Sequence, residues 1–162
     1  MSIEFNADEV FEIADRIEEN GAAFYRKAAA IVKDSKTRLL LLDLAAMEER
    51  HRETFGELRA ALSKKGWAPA FDPDGQSEMY LRAIADGRIF DVKADPAERL
   101  TGSESTGDIF RMAVALEKDS LLFYQELRQI VPERLGRDRV ERIIGEEIRH
   151  VMLLNAGLAE LK

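Results

Sequence analysis

The chain has two histidines, and each follows a glutamate by three residues: Glu48-Glu49-Arg50-His51 and Glu147-Ile148-Arg149-His150. Thirty positions before each of those glutamates stands another, Glu18 and Glu117. Residues three apart on a helix share a face, so each Glu-x-x-His pair can aim a carboxylate and an imidazole at one place. Two such pairs, with one more glutamate from each of two further helices, form the donor set with which helical bundles hold two iron or manganese ions. The four carboxylates and two neutral imidazoles carry a charge of −4, which two divalent cations neutralise. Buried together without metal, they would have to take up protons or water, because isolated buried charges are very costly. Mixed oxygen and nitrogen donors suit iron or manganese, and zinc also fits such a set.

A lone Glu-x-x-His on a charge-rich helix is ordinary surface. Its repetition at equal spacing, inside apolar surroundings, is not. Ala14, Ile17, Gly21 and Phe24 surround Glu18, while Leu44, Met47 and Phe55 flank the Glu48 motif. Tyr25 and Tyr124 each follow their upstream glutamate by seven residues, on the same face two turns along. Helical side chains lean toward the N-terminus, which points each hydroxyl back at the metal layer. They read as hydrogen-bond donors to ligands or, alternatively, as redox-active phenols or plain core tyrosines. Glu49 and Glu146 adjoin ligands but face about 100° away on the helix, toward solvent. Arg50 and Arg149 repeat as well and carry no assigned chemistry.

Four long helices must position these groups. Apolar spacing predicts the first from Asn6 or Asp8 to about Val32, and the second from about Thr37, capped by Ser35, to Lys65, stopping at Gly66. Joined by a short turn, these two lie antiparallel. Residues 66–106 are punctuated by Pro69, Pro73, Gly75, Gly87, Pro96 and Gly102. They suit a crossover that returns the chain to the other end of the bundle, with a short helix over Glu78 to Ala85 following Ser77. Trp67 reads as a cap on the bundle end. The third helix starts after Ser105 to Asp108, at capping-box spacing, and ends near Val131 before Pro132; the fourth runs from about Asp138 to Leu161. The halves repeat with an offset of 99 residues: Phe11 matches Phe110, Phe24-Tyr25 matches Phe123-Tyr124, and Arg50-His51 matches Arg149-His150. The expected fold is all-α, one domain over residues 1–162, built from two helical hairpins.

Composition narrows the function classes. A net charge of −7 without a basic cluster argues against a nucleic-acid partner. The absence of cysteine excludes disulfides, thiolate-bound zinc and iron–sulfur centres. The most apolar run, Leu39 to Met47, is too short for a bilayer and holds Asp43, and no secretory signal is visible, so the expected location is the cytoplasm, with no membrane partner.

The segments Glu18…Phe24-Tyr25 and Glu117-Lys118-Asp119-Ser120-Leu121-Leu122-Phe123-Tyr124, with Glu48-Glu49-Arg50-His51 and Glu146-Glu147-Ile148-Arg149-His150, resemble the rubrerythrin-like branch of the ferritin-like superfamily. The resemblance covers all four helices. It implies a ferritin-like four-helix bundle with two iron ions held by Glu18, Glu48, His51, Glu117, Glu147 and His150, with Glu48 and Glu147 as bridges. It further implies a homodimer and an oxidoreductase that reacts with peroxide or dioxygen, as a peroxidase or ferroxidase in oxidative-stress defence. Two departures qualify it. Rubrerythrin places a further glutamate where this chain has Ser120, so the expected site is more symmetric, like the bacterioferritin set. Rubrerythrin also carries a rubredoxin domain, and this cysteine-free chain would need an external electron donor. The sequence stops soon after the fourth helix, which sets the expectation against a ferritin-type storage cage. A protein that binds or buffers iron without turnover is the alternative, and a structural bundle with a vestigial or zinc-filled site is a third.

Overall fold

In the computed structural model, which describes residues 7–65, 75–88 and 90–161, apolar residues at helical spacing form four long helices. These are α1 (Ala7–Ile31), α2 (Ser35–Ser63), α4 (Thr106–Ile130) and α5 (Arg137–Glu160), with a short α3 (Gln76–Ala85) between α2 and α4. There is no strand among the described residues. Single turns of 3-10 helix at Pro96–Arg99 and Glu133–Leu135 complete the pattern.

Local chemistry fixes the helix starts. Helix α2 is capped by Asp34, not by Ser35: the Asp34 carboxylate accepts from the Thr37 backbone N–H at 2.7 Å and from its hydroxyl at 2.8 Å. A carboxylate at the positive helix end outcompetes the neighbouring hydroxyl. Helix α4 begins with a reciprocal capping box. Ser105 Oγ accepts from the Asp108 N–H at 3.1 Å, and Asp108 accepts from the Ser105 N–H at 3.2 Å. Helix α3 starts two residues earlier than expected, behind Gly75, whose φ of 64° is a left-handed conformation that suits glycine. The expectations for Asn6, Gly66, Trp67, Pro69 and Pro73 lie outside the described residues.

Ion pairs and contacts give the helix directions. Asp8 pairs with Arg59, and Arg26 with Glu49, so α1 and α2 are antiparallel. Lys36 with Glu160 and Glu57 with Arg139 make α2 and α5 antiparallel. Tyr25 meets Glu117 while Tyr124 meets Glu18, which sets α1 against α4. Helices α2 and α4 therefore run the same way, and the segment joining them must travel the length of the bundle, roughly 40 Å.

The packing follows that path. One apolar cluster joins Phe11, Phe55, Leu58, Leu62, Leu127 and Val140 at one end of the bundle. The other joins Phe24, Leu41, Leu44, Phe110, Ala113 and Leu154 at the opposite end. The connector enters the first through Leu81, Ile84 and Val92 and the second through Leu100. Helix α1 fastens it midway: Asn20 Nδ2 donates to Val92 O at 3.0 Å, and Lys27 Nζ to Ala97 O at 2.8 Å. Between the two clusters lies a polar layer.

Candidate metal centre

That layer consists of the six residues singled out by spacing. Glu18, Glu48, His51, Glu117, Glu147 and His150 are each at most 3% exposed. Helices α2 and α5 each contribute two inward-facing members because Glu-x-x-His advances one turn along a single stripe, and α1 and α4 contribute one glutamate each. Their donor atoms fall into two overlapping groups, each within 4.8 Å: Glu18, Glu48, His51 and Glu147, and Glu48, Glu117, Glu147 and His150. Glu48 and Glu147 belong to both. Gly21 lies against Glu48: a Cβ there would be in van der Waals contact with it, 3.4 Å from the Glu48 Cγ.

Both imidazoles turn Nδ1 to the centre. His51 Nδ1 lies 2.8 Å from Glu147 Oε1 and 3.4 Å from Glu18 Oε2. His150 Nδ1 lies 3.3 Å from oxygens of Glu48, Glu117 and Glu147. The two rings are stacked, 5.8 Å apart at their centroids. The tyrosines bond crosswise: Tyr25 donates to Glu117 Oε1 and Tyr124 to Glu18 Oε1, each across to the opposite hairpin. Burial, then the charge of the accepting carboxylate and its neighbours, pushes both phenols well above their ordinary range, so they remain protonated donors.

Electrostatics in the layer is dominated by burial and crowding. Burial and then the charge of Glu48 push Glu18 well above the usual carboxylate range. Burial, followed by the charge of Glu117, lifts Glu147 to about 8. Burial opposes charging of His150, but contacts with Glu117, Glu147 and Glu48 outweigh it and raise its pKa to about 12. His51 is raised by the same competition, with Glu147, Glu18 and Glu48 as partners. For Glu117, burial is outweighed by its contacts with Glu147 and His150, and its pKa is lowered.

The donor set fits a pair of divalent cations on a structural test. Seven buried side-chain atoms have no hydrogen-bond partner: Glu18 Oε2, Glu48 Oε1, His51 Nδ1, both Glu147 oxygens, and both ring nitrogens of His150. Buried polar atoms are almost always partnered, and each orphan costs about 1–3 kcal/mol. These atoms crowd one another, His51 Nδ1 to within 2.8 Å of Glu147 Oε1, and none has a well-aligned partner outside the layer. Divalent cations satisfy carboxylate oxygens and neutral imidazole nitrogens at once. Six of these seven atoms face the shared centre or belong to its bridging candidates; His150 Nε2 is the exception.

One neighbour departs from expectation. Glu146, read as solvent-facing, reaches His51 Nε2 at 2.8 Å and is only 34% exposed. Helix α5 packs beside α2, so a residue turned away from its own helix's ligand meets the far side of the neighbour's. Glu49 stays on the surface, paired with Arg26 and Arg52, and Arg50 and Arg149 are exposed. The connector roofs the α1–α4 side and leaves a cavity of about 80 Å³ beneath it, reaching Gly21, Tyr25, Glu48, Glu117 and Ser120. Ser120 itself donates to Leu116 O at 3.0 Å. None of the helices among the described residues is long and apolar enough to cross a membrane.

No family model matches this chain, and no curated protein does. Among solved structures it is similar to a protein of Thermotoga maritima, provisionally described as a ferritin-like diiron-carboxylate protein. The match has a TM-score of 0.72 at 21% identity and covers 98% of each chain. Identity that low speaks to architecture, and the architecture is the ferritin-like all-helical fold.

Proposed function

We propose that the polar layer is a di-iron centre and that the protein is an oxidoreductase of the rubrerythrin-like peroxidase or ferroxidase type. The observation that carries the reading is the pair of overlapping, buried donor groups with Glu48 and Glu147 in common. In this reading Glu18 and His51 would hold one ion and Glu117 and His150 the other, with Glu48 and Glu147 available to both. Two irons bound there supply redox chemistry toward peroxide or dioxygen.

The chain's own groups do the rest. Tyr124 and Tyr25 fix the orientation of Glu18 and Glu117 by donating to Oε1 of each; on Glu18 this leaves Oε2 for the centre, whereas on Glu117 the same Oε1 also faces His150 Nδ1. Metal binding there would compete with the protons that burial favours on Glu18 and Glu147. The apolar clusters on both sides keep bulk water from the layer. With no cysteine in the sequence, electrons for repeated turnover come from an external donor.

Anaerobic titration with Fe(II), followed by peroxide or air, tests this. The expected result is two irons per chain and a new near-ultraviolet charge-transfer band on oxidation, with repeated turnover when a reductant is supplied. Loading without turnover would make the protein an iron-holding module instead. Glu18→Ala or His150→Ala should abolish binding of two ions per chain, and retained stoichiometry in both variants would overturn the assignment.

A further inference from the structure

The two halves of the centre are related by the 99-residue repeat, yet two independent features break their equivalence. The first is on the outer face of the imidazoles. His51 Nε2 has an acceptor, Glu146 Oε2 at 2.8 Å, whereas the buried His150 Nε2 has none. The repeat explains why: the position corresponding to Glu146 is Met47, whose thioether offers no carboxylate. A carboxylate accepting from Nε2–H fixes the tautomer with the Nδ1 lone pair toward the metal and raises its basicity. Only His51 has that support.

The second feature is access. Of the six candidate ligands, the cavity beneath the connector touches Glu117, of the His150 group, and Glu48, common to both groups, with Tyr25 and Ser120 beside them. Neither imidazole lines it, nor do Glu18 and Tyr124. About 80 Å³ accommodates two or three water-sized molecules. The cavity therefore reaches the His150 group through Glu117, a ligand of that group alone, and meets the His51 group only at the shared Glu48.

From these we infer a division of labour within the proposed metal centre: the His51 group holds a tightly bound resident ion, while the His150 group holds the weaker, exchangeable ion and takes small exogenous ligands through the cavity between Gly21 and Ser120. Glu146 is a positioning residue that acts through His51. The inference rests on the metal-centre reading.

The test is a Co(II) titration of the metal-free full-length protein, followed by visible absorption, with azide as the small-ligand probe. Two steps are expected, separated by about 10- to 100-fold in affinity, the usual effect of such an outer partner. Azide should change the spectrum after the second equivalent and not after the first. Glu146→Met, which copies the Met47 half, should weaken the first step and merge the two, whereas Glu146→Gln, which keeps an acceptor oxygen, should restore part of the separation. Met47→Glu should tighten the second step. Ser120→Leu, which fills the cavity, should abolish the azide response while two Co(II) ions still bind. Two equal steps indifferent to Glu146, or an azide response at the first equivalent, would overturn the division. A failure to bind Co(II) at all would overturn the metal-centre reading and the division with it.

Discussion

Each tyrosine donates to a carboxylate of the opposite hairpin, so the hydroxyl does two things at once: it orients a candidate ligand and ties α1 to α4. Tyr25→Phe removes the donor to Glu117, and Tyr124→Phe the donor to Glu18, with almost no change in shape. Each is expected to lower metal affinity about 10- to 100-fold while leaving the helical circular dichroism of the protein unchanged. The steps affected should differ, Tyr25→Phe acting on the His150 group and Tyr124→Phe on the His51 group; calorimetric metal titration reads both. At this scale the six candidate ligands were legible because a helix converts a spacing of three into a shared face, and the repeat supplied the test that a single motif lacks. The tyrosine partners were half legible. The lean of a helical side chain aims the hydroxyl at the layer, but which carboxylate it meets depends on the neighbouring helix. Glu146 was read wrongly for that same reason: a helical wheel gives the direction a side chain leaves its own axis, and the packing of α5 beside α2 decides what stands there.

Two glycines in α5 separate the packing of elements from the preferences of a lone helix. A Cβ on Gly157 would run into the Phe110 ring, which is 2% exposed, so the α4 side chain packs directly on the α5 backbone at this glycine. Nothing lies within 4 Å of a Cβ on Gly145. Alanine is better than glycine in a helix interior by about 1 kcal/mol. Overpacking a buried contact costs about 1–3 kcal/mol. Gly145→Ala is thus expected to raise the urea midpoint and Gly157→Ala to lower it, and a rise in both would remove the close approach as an explanation of Gly157. The long helices and the Ser105–Asp108 capping box could be read directly, because caps, apolar period and proline breaks are local. The α2 cap lies one residue before the expected Ser35, at Asp34, because the Asp34 carboxylate is the group that reaches the Thr37 N–H. The connector was legible as a crossover from its length and its prolines. Its attachment was not: Asn20 and Lys27 bond to backbone carbonyls, which carry no sequence signature.

For the molecule as a whole, the polar layer makes stability depend on pH and metal in opposite ways. Glu18 and Glu147 have folded pKa values raised above their ordinary 4.5, Glu147 to about 8. The native state therefore binds more protons than the unfolded chain between those values, and stability falls as pH rises through that window. The raised His150, with an ordinary value of 6.5 and a folded value of about 12, has the same sign: its contribution is full below 6.5 and is lost on the way to 12. Lowered Glu117 acts in the other direction, but only as pH falls below 4.5. Metal-free protein should then melt at progressively lower temperature from pH 5 to pH 8 in the presence of a chelator. Divalent ions reverse the slope, because binding displaces those protons and strengthens as they leave. Free metal at about 100 times its dissociation constant adds about 2.7 kcal/mol per site. Melting curves with and without two equivalents of Co(II) should consequently lie closest at pH 5 and diverge toward pH 8. A melting temperature independent of pH in the chelated protein would mean that water or rearrangement, and not protons, relieves the crowded carboxylates when the metal is gone.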